Sequence, residues 1–393
     1  MSTKYSLTVQ DILEIISSTL LAEMNFQKRM DNLVNGTLAN SFIPDVTSIS
    51  NLEVVLKKIA HMFDVPQKQL SKINIYSMAE NIFAFTKGNP KKITFYTSGS
   101  TGTPTPSSHF FSDLTQEIYS LAKEFKNRTR IVNLVPRHHI YGFLFSVLLP
   151  KALEIPACHK HPMPTPDLVK NFRKGDLIIS FPLLWKKLKN TEAKFASDIY
   201  GVTSTAPCPP DVILTLRANG LSRMTEVYGS SETSGVGFRH SPTVNYTLFP
   251  YWKKEEENSL RRINSAEHDG ISYQLQDTLK WKDEYNFIPL RRVDKAIQVA
   301  GINVYPSKIE AFFKTLPPVC DCSVRLMRPE EGDRLKIVII PTPNVSQTDI
   351  DSGKTEREIS SLASSNLTIY ERPKIYTFRT ELPISDVGKL TDW

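Results

Sequence analysis

The 393-residue chain has little cysteine, no long apolar run and no concentrated block of basic residues. Its four cysteines, Cys158, Cys208, Cys320 and Cys322, are scattered. Cys320-x-Cys322 has no second pair and no nearby histidines, which argues against a thiolate metal site; so few cysteines fit a reducing cytoplasm better than a disulfide framework. No apolar stretch reaches the roughly 18 residues of a membrane-spanning helix, so no membrane insertion is expected. Asp11 and Glu14 interrupt the apolar part of the N-terminal segment, and no small-residue cleavage site follows, unlike a signal peptide. The formal charge is +7, yet lysine and arginine are spread along the chain without interleaved aromatics. Nucleic acid is therefore not an expected partner, and the positive excess suits small anions instead. Neither a Gly-x-Gly-x-x-Gly turn nor a glycine-rich loop ending in Gly-Lys-Ser/Thr is present, which disfavours a dinucleotide-binding dehydrogenase and a P-loop enzyme.

What is there has a clear order. Apolar positions at helical spacing (Val9, Ile12, Leu13, Ile16, Leu20) predict a helix over 8–24, with Thr8 and Asp11 as an N-terminal capping pair. A second helix is expected over 52–63 and a third near 76–83, closed by the turn Lys87-Gly88-Asn89-Pro90. From about residue 92, short β-branched runs at 93–96, 131–135, 177–181, 199–203 and 224–228 alternate with helical stretches, the pattern of an α/β fold with a largely parallel sheet. The polar segment 252–269 is expected to be a surface excursion. Beyond residue 294, helices at 306–315 and 356–364 and strands at 322–326 and 336–340 predict a small α+β domain. The expected organisation is a helical N-terminal subdomain (1–90), an α/β core (91–293) and a small C-terminal domain (294–393).

Five segments carry chemistry suited to nucleotides and carboxylates. Thr97-Ser98-Gly99-Ser100-Thr101-Gly102-Thr103-Pro104 follows the first core strand. Its glycines let the backbone turn tightly and present N–H groups to an anion, and its hydroxyls add neutral donors; the same composition also makes a plain flexible loop. Pro136-Arg137-His138-His139-Ile140-Tyr141-Gly142 follows the next strand, although a histidine beside apolar residues packs into a core as readily as it serves a site. Ser204-Thr205-Ala206-Pro207 precedes Val227-Tyr228-Gly229-Ser230-Ser231-Glu232-Thr233, which offers an aromatic face for adenine and a carboxylate for magnesium, or simply a turn with a helix N-cap. Asp277 and Arg292 pair a carboxylate able to accept from two hydroxyls with a guanidinium able to meet two oxygens, or form a surface ion pair. Pro383-Ile384-Ser385-Asp386-Val387-Gly388-Lys389 ends in a lysine that, taken alone, would simply be solvated.

In this order the segments resemble those of the adenylate-forming superfamily, which includes acyl-CoA synthetases, peptide-synthetase adenylation domains and luciferases. The resemblance runs over roughly residues 93–393. It implies an α/β fold with a large N-terminal body and a small mobile α+β C-terminal domain. It further implies that Thr97, Ser98, Gly99, Ser100, Thr101 and Gly102 hold ATP phosphates, and that Tyr228 contacts adenine. Ser231 then meets phosphate or the adenylate, Glu232 helps hold Mg²⁺, Asp277 takes the ribose hydroxyls, and Arg292 meets ribose and phosphate. Asp294 becomes the hinge, and Lys389 the lysine that enters the site during adenylation. Three departures stand out: Thr105 replaces the usual lysine, as in phenylacetate-CoA ligases; Ser231 replaces a threonine; and the usual Tyr-Arg-Thr-Gly-Asp lead-in is missing before Asp277.

Within the superfamily, His139-Ile140-Tyr141, Val299-Ala300-Gly301-Ile302-Asn303-Val304-Tyr305 and the ending Gly388-Lys389-Leu390-Thr391-Asp392-Trp393 resemble compact bacterial 4-coumarate-CoA ligases associated with the photoactive yellow protein chromophore. That resemblance implies an aromatic acid substrate, with His139 beside its carboxylate. Tyr141, Gly142 and Phe143 would line its pocket, the glycine leaving a flat slot for a ring. ATP, Mg²⁺ and coenzyme A are the implied cofactors, with the phosphopantetheine of an acyl carrier protein as the alternative acceptor. A nucleotide-binding protein without turnover is a third reading, favoured only by Thr105 and opposed by Glu232 and Lys389. The first ninety residues resemble a carrier-protein bundle without its Asp-Ser-Leu, or are a plain helical subdomain completing the acid pocket.

Overall fold

Thr8 and Asp11 cap the first helix reciprocally. The Thr8 amide donates to Asp11 Oδ2 at 2.7 Å and the Asp11 amide to Thr8 Oγ1 at 3.1 Å, satisfying donors that a helix start leaves open. In the computed structural model this helix runs Val9–Glu23, and others follow at Leu52–Met62 and Ile75–Thr86. The structure describes residues 5–23, 51–70, 74–97, 105–160, 166–191, 193–293, 296–299, 302–328 and 330–383. No described helix is long and apolar enough to cross a membrane. Contacts divide the chain into two compact units, the first reaching Leu290 and the second starting, after it, at Arg291. The N-terminal helices lie in the first unit and share its core: Ile12, Ile16, Leu56, Ile59, Met78 and Ile82 join one apolar cluster with Phe95, Ile118, Phe143 and Leu177.

The first unit begins its strands with an antiparallel hairpin, β1 (Lys92–Thr97) and β2 (Thr105–Phe110). β3 (Arg130–Asn133), β4 (Ala157–His159), β5 (Asp176–Ser180), β6 (Tyr200–Thr203) and β7 (Arg223–Ser230) then run parallel, in the order β4-β3-β5-β6-β7. Beyond β7 the sheet turns antiparallel through β8 (Ser234–Arg239) and β9 (Tyr246–Leu248). Alternation along β5 explains its unbroken apolar run. Leu177 and Ile179 enter the core shared with the N-terminal helices, whereas Ile178 enters a second core with Trp185, Leu188, Val212 and Leu216. Those four come from the helices Pro182–Lys189 and Pro210–Ala218, so both faces of the parallel region are covered.

The segment expected to be a surface excursion is instead structural. β10 (Trp252–Glu256), β11 (Ser259–Arg262) and β12 (Ser272–Gln274) form a three-stranded sheet, with Trp252 and Leu260 buried in the first core. The lysines and glutamates of β10 mask two apolar anchors that hold it down. β13 (Asp277–Trp281) and β14 (Asn286–Arg292) complete the large sheet next to β9.

In the second unit, β15 (Ile297–Val299) pairs antiparallel with β16 (Ile302–Val304). β17 (Val319–Leu326) pairs antiparallel with β18 (Leu335–Pro341), and β19 (Pro373–Phe378) adds parallel to β18. The helices Pro306–Phe313 and Lys354–Asn366 cover this sheet through Ile309, Phe313, Ile359 and Ala363. β19 has no counterpart among the sequence expectations, since a strand opened by a proline with one strongly apolar side carries little periodic signal.

Candidate active site

Three of the motif segments follow the ends of parallel strands. β3, β6 and β7 lead respectively into 136–142, 204–207 and 229–233, the carboxyl ends at which open α/β sheets bind ligands. The turn after β7 is built from its own hydroxyls. Ser230 Oγ accepts from the amides of Glu232 and Thr233, both at 3.2 Å, and the Ser230 amide donates to Thr233 Oγ1 at 3.2 Å. Gly229 is required just before it, because a Cβ there would run into the Ser234 carbonyl oxygen. The turn leaves Glu232 exposed and Ser231 partly so.

Tyr228, at the end of β7, donates its hydroxyl to Asp277 Oδ2 at 2.8 Å. Its ring meets Phe287 edge-on, with centroids 5.5 Å apart, and Tyr246 at 5.9 Å. The residues assigned by resemblance to adenine and to ribose, distant in sequence, are therefore hydrogen-bonded neighbours. Ser204 Oγ, at the end of β6, donates to the Val227 carbonyl at 2.8 Å and ties the two strand ends together.

The loop after β3 is pinned from the N-terminal helix: Ser18 Oγ lies 2.8 Å from His138 Nδ1 and accepts from the Arg137 amide at 3.1 Å. His138 is buried, and its ring lies 4.3 Å from that of His139. His139 is exposed. The neighbouring protein, and then the charge of Lys58, lower its pKa from the ordinary histidine value. Tyr141 is buried and donates its hydroxyl to the Ser180 carbonyl at 2.9 Å, while Phe143 packs against Phe95 at 5.4 Å in the core. The space beside Gly142 is filled by the Pro136 backbone. The glycine thus permits close backbone approach, and the expected slot for a ring is not there.

Thr97 ends β1 opposite Thr105. Ser98, Gly99, Ser100, Thr101, Gly102, Asp294 and Lys389 lie outside the described residues. Arg292 closes β14 at the start of the second unit. No group of three or more His, Cys, Asp or Glu side chains able to hold a metal occurs among the described residues. Mg²⁺ that keeps waters and takes nucleotide phosphates needs only one or two carboxylates, which the exposed Glu232 fits. A cavity of about 460 Å³ near Asp11, Glu14, Arg137, Lys151 and His159 contains none of the assigned residues. Its charges are already matched, Arg137 to Glu14 at 2.5 Å and Lys151 to Asp11 at 2.7 Å.

The sequence reading missed Ser107 and His109, which both reach the Ser231 carbonyl, at 2.8 and 2.6 Å. Recognising 105–110 as a strand would have put these i, i+2 residues on one face.

The profile of the AMP-binding enzyme family matches residues 62–263. The chain belongs to this family. It is 33% identical over 332 residues to a 4-coumarate–CoA ligase from Halorhodospira halophila, covering 84% of this chain and 82% of that one. A 4-coumarate–CoA ligase from Rhodobacter capsulatus is 34% identical over 304 residues, covering 76% and 74%. Among solved structures, a double mutant of the o-succinylbenzoate CoA synthetase from Bacillus subtilis has the same fold, with a TM-score of 0.59 at 17% identity over 76% of this chain and 67% of that one. The fold is that of the adenylate-forming CoA synthetases, as the order of motifs implies.

Proposed function

We propose that this AMP-binding enzyme activates an aromatic carboxylic acid with ATP and passes the acyl group to coenzyme A. The observation that supports the reading is the Tyr228–Asp277 contact at 2.8 Å beside the Ser231-Glu232 turn, since the resemblance assigns the first pair to the nucleoside and the turn to phosphate and metal. In the first step a carboxylate oxygen attacks the α-phosphorus of ATP, and pyrophosphate leaves. Tyr228 and Asp277 hold the nucleoside, the 97–102 segment and Ser231 the phosphates, and His139 orients the acid. Glu232 would help hold Mg²⁺, which would supply charge neutralisation at the transferring phosphoryl group. Lys389 approaches the α-phosphate in this step, and movement about Asp294 then withdraws it. In the second step a thiolate sulfur attacks the acyl carbon, and AMP leaves. The likeness to 4-coumarate–CoA ligases over most of the chain supports coenzyme A rather than a carrier protein as acceptor. The free thiols of Cys158, Cys208, Cys320 and Cys322 fit a cytoplasmic setting.

The substrate class is tested by comparing kcat/KM for 4-coumarate, 4-hydroxybenzoate, benzoate and decanoate. The expected order puts 4-coumarate first and decanoate last. A well-placed aromatic pair contributes about 1 kcal/mol beyond area burial, and a phenol hydroxyl left unpaired on burial costs about 1–3 kcal/mol. Decanoate as the best substrate would overturn the aryl assignment and leave the adenylating chemistry standing. A second expected result concerns the metal: Glu232→Gln lowers pyrophosphate release by about a hundredfold at low Mg²⁺, as expected for the loss of one charged ligand at the transferring phosphoryl group. Glu232 is exposed, so its melting temperature stays at the wild-type value. Wild-type rates at every Mg²⁺ concentration would remove Glu232 from the metal site.

A further inference from the structure

We propose that Ser107 and His109 are positioning residues that clamp the Ser231 carbonyl and so aim Ser231 and Glu232 at MgATP. The inference rests on reading the 230–233 turn as the phosphate- and metal-bearing turn. Ser107 Oγ donates to the Ser231 carbonyl oxygen at 2.8 Å, and His109 Nε2 lies 2.6 Å from the same atom. A carbonyl oxygen only accepts, so Nε2 carries the hydrogen. His109 is 7% exposed, and burial pulls its pKa down to about 4, keeping it a neutral donor. The other end of the same peptide unit is also held, since the Glu232 amide donates to Ser230 Oγ at 3.2 Å. With its oxygen and its N–H both engaged, the Ser231–Glu232 peptide plane is held against rotation, which fixes the backbone from which Ser231 and Glu232 project.

The placement on β2 is costly unless it serves this bond. In the hairpin register His109 stands opposite Ile93, and Ser107 opposite Phe95. Both of those partners are buried in the apolar core. Two polar side chains thus occupy the core-facing side of the strand, where an apolar pair would pack without needing partners. Ser108, between them, turns the other way to Thr94 Oγ1 at 2.8 Å. The helix that follows β2 adds a second tie, because Glu117 accepts from the Gly235 amide at 3.2 Å, just past the turn.

Calorimetric titration of the full chain with MgATP, and separately with AMP without metal, tests the clamp through His109→Leu, His109→Gln and Ser107→Ala. Leucine keeps bulk and loses the donor; glutamine restores a donor. The expected result for His109→Leu is an MgATP Kd raised about tenfold, with AMP weakened less than about threefold. His109→Gln should fall within about threefold of wild type for both, and Ser107→Ala should raise the MgATP Kd by a few fold while the melting temperature holds. Unchanged MgATP affinity in His109→Leu, equal weakening of MgATP and AMP, or no recovery with glutamine would overturn the clamp in favour of packing. If His109→Leu does not fold, Ser107→Ala decides alone: wild-type affinity overturns the proposal. A wild-type protein that binds MgATP but releases pyrophosphate with no acid would sink the proposed function and leave the clamp intact.

Discussion

Lys389→Ala is expected to slow acyl-adenylate formation by about a hundredfold to a thousandfold, the usual effect of removing one group aimed at developing transition-state charge. Thioester formation from preformed adenylate should run near the wild-type rate. The asymmetry follows from where charge appears. In the first half-reaction the carboxylate adds an oxygen to a phosphorus already surrounded by negative oxygens, so a nearby ammonium stabilises the transition state more than the ground state. In the second, a thiolate attacks a carbonyl carbon, charge develops first on the acyl oxygen, and AMP leaves with the electron pair of the broken C–O bond, so no bond to the α-phosphorus is made or broken. The assignment rests on Lys389 closing Pro383-Ile384-Ser385-Asp386-Val387-Gly388-Lys389 at the end of the motif series. Acid-dependent pyrophosphate release measures the first step, and a single-turnover assay from purified acyl-adenylate measures the second. Equal loss in both would mean that Lys389 acts elsewhere.

The parts legible in the sequence are those whose signal is local. β5 appears as an apolar run because helices cover both of its faces, and Thr8 with Asp11 form the cap that their spacing implies. Tyr228, Asp277 and Glu232 were found as motif members, but the 2.8 Å contact between the first two belongs to the sheet: β7 and β13 are brought together only through β8, β9 and β14. Where the reading failed, tertiary context decided. The charges of 253–257 hid a sheet anchored by Trp252 and Leu260. Ser107 and His109 look like loop residues after a Ser/Gly/Pro segment, and acquire meaning only when Thr105–Phe110 pairs with Lys92–Thr97. Tyr141 reads as a pocket aromatic, and the bond from its hydroxyl to the Ser180 carbonyl is a tertiary contact that no local pattern shows.

Gly142→Ala shows the same conflict between local and tertiary physics, and its sign separates them. Gly142 sits in the helix Ile140–Phe143. Helix propensity alone predicts that alanine stabilises an interior position by about 1 kcal/mol. The structure predicts the opposite. A Cβ on residue 142 would overlap the Pro136 carbonyl oxygen, stand 2.7 Å from its carbonyl carbon and 3.3 Å from Arg137 Cα. The obstruction is backbone, which cannot swing aside as a side chain would. Nor is that backbone loose: the Arg137 amide donates to Ser18 Oγ at 3.1 Å, and the His138 ring is held by the same hydroxyl at 2.8 Å. Relief by moving residues 136–137 would therefore pull the loop away from the N-terminal helix and carry His139 with it. Overpacking of this kind costs about 3 kcal/mol, which outweighs the propensity gain. The expected fall in melting temperature is about 3–5 °C for a unit of this size. Because the strain is relieved through the His139 loop, the KM for the acid should rise while the KM for ATP, whose proposed nucleoside residues lie on β7 and β13, changes little. A melting temperature at or above the wild-type value would show that the 136–137 backbone yields freely, and His139 would then have no fixed position from which to orient a carboxylate.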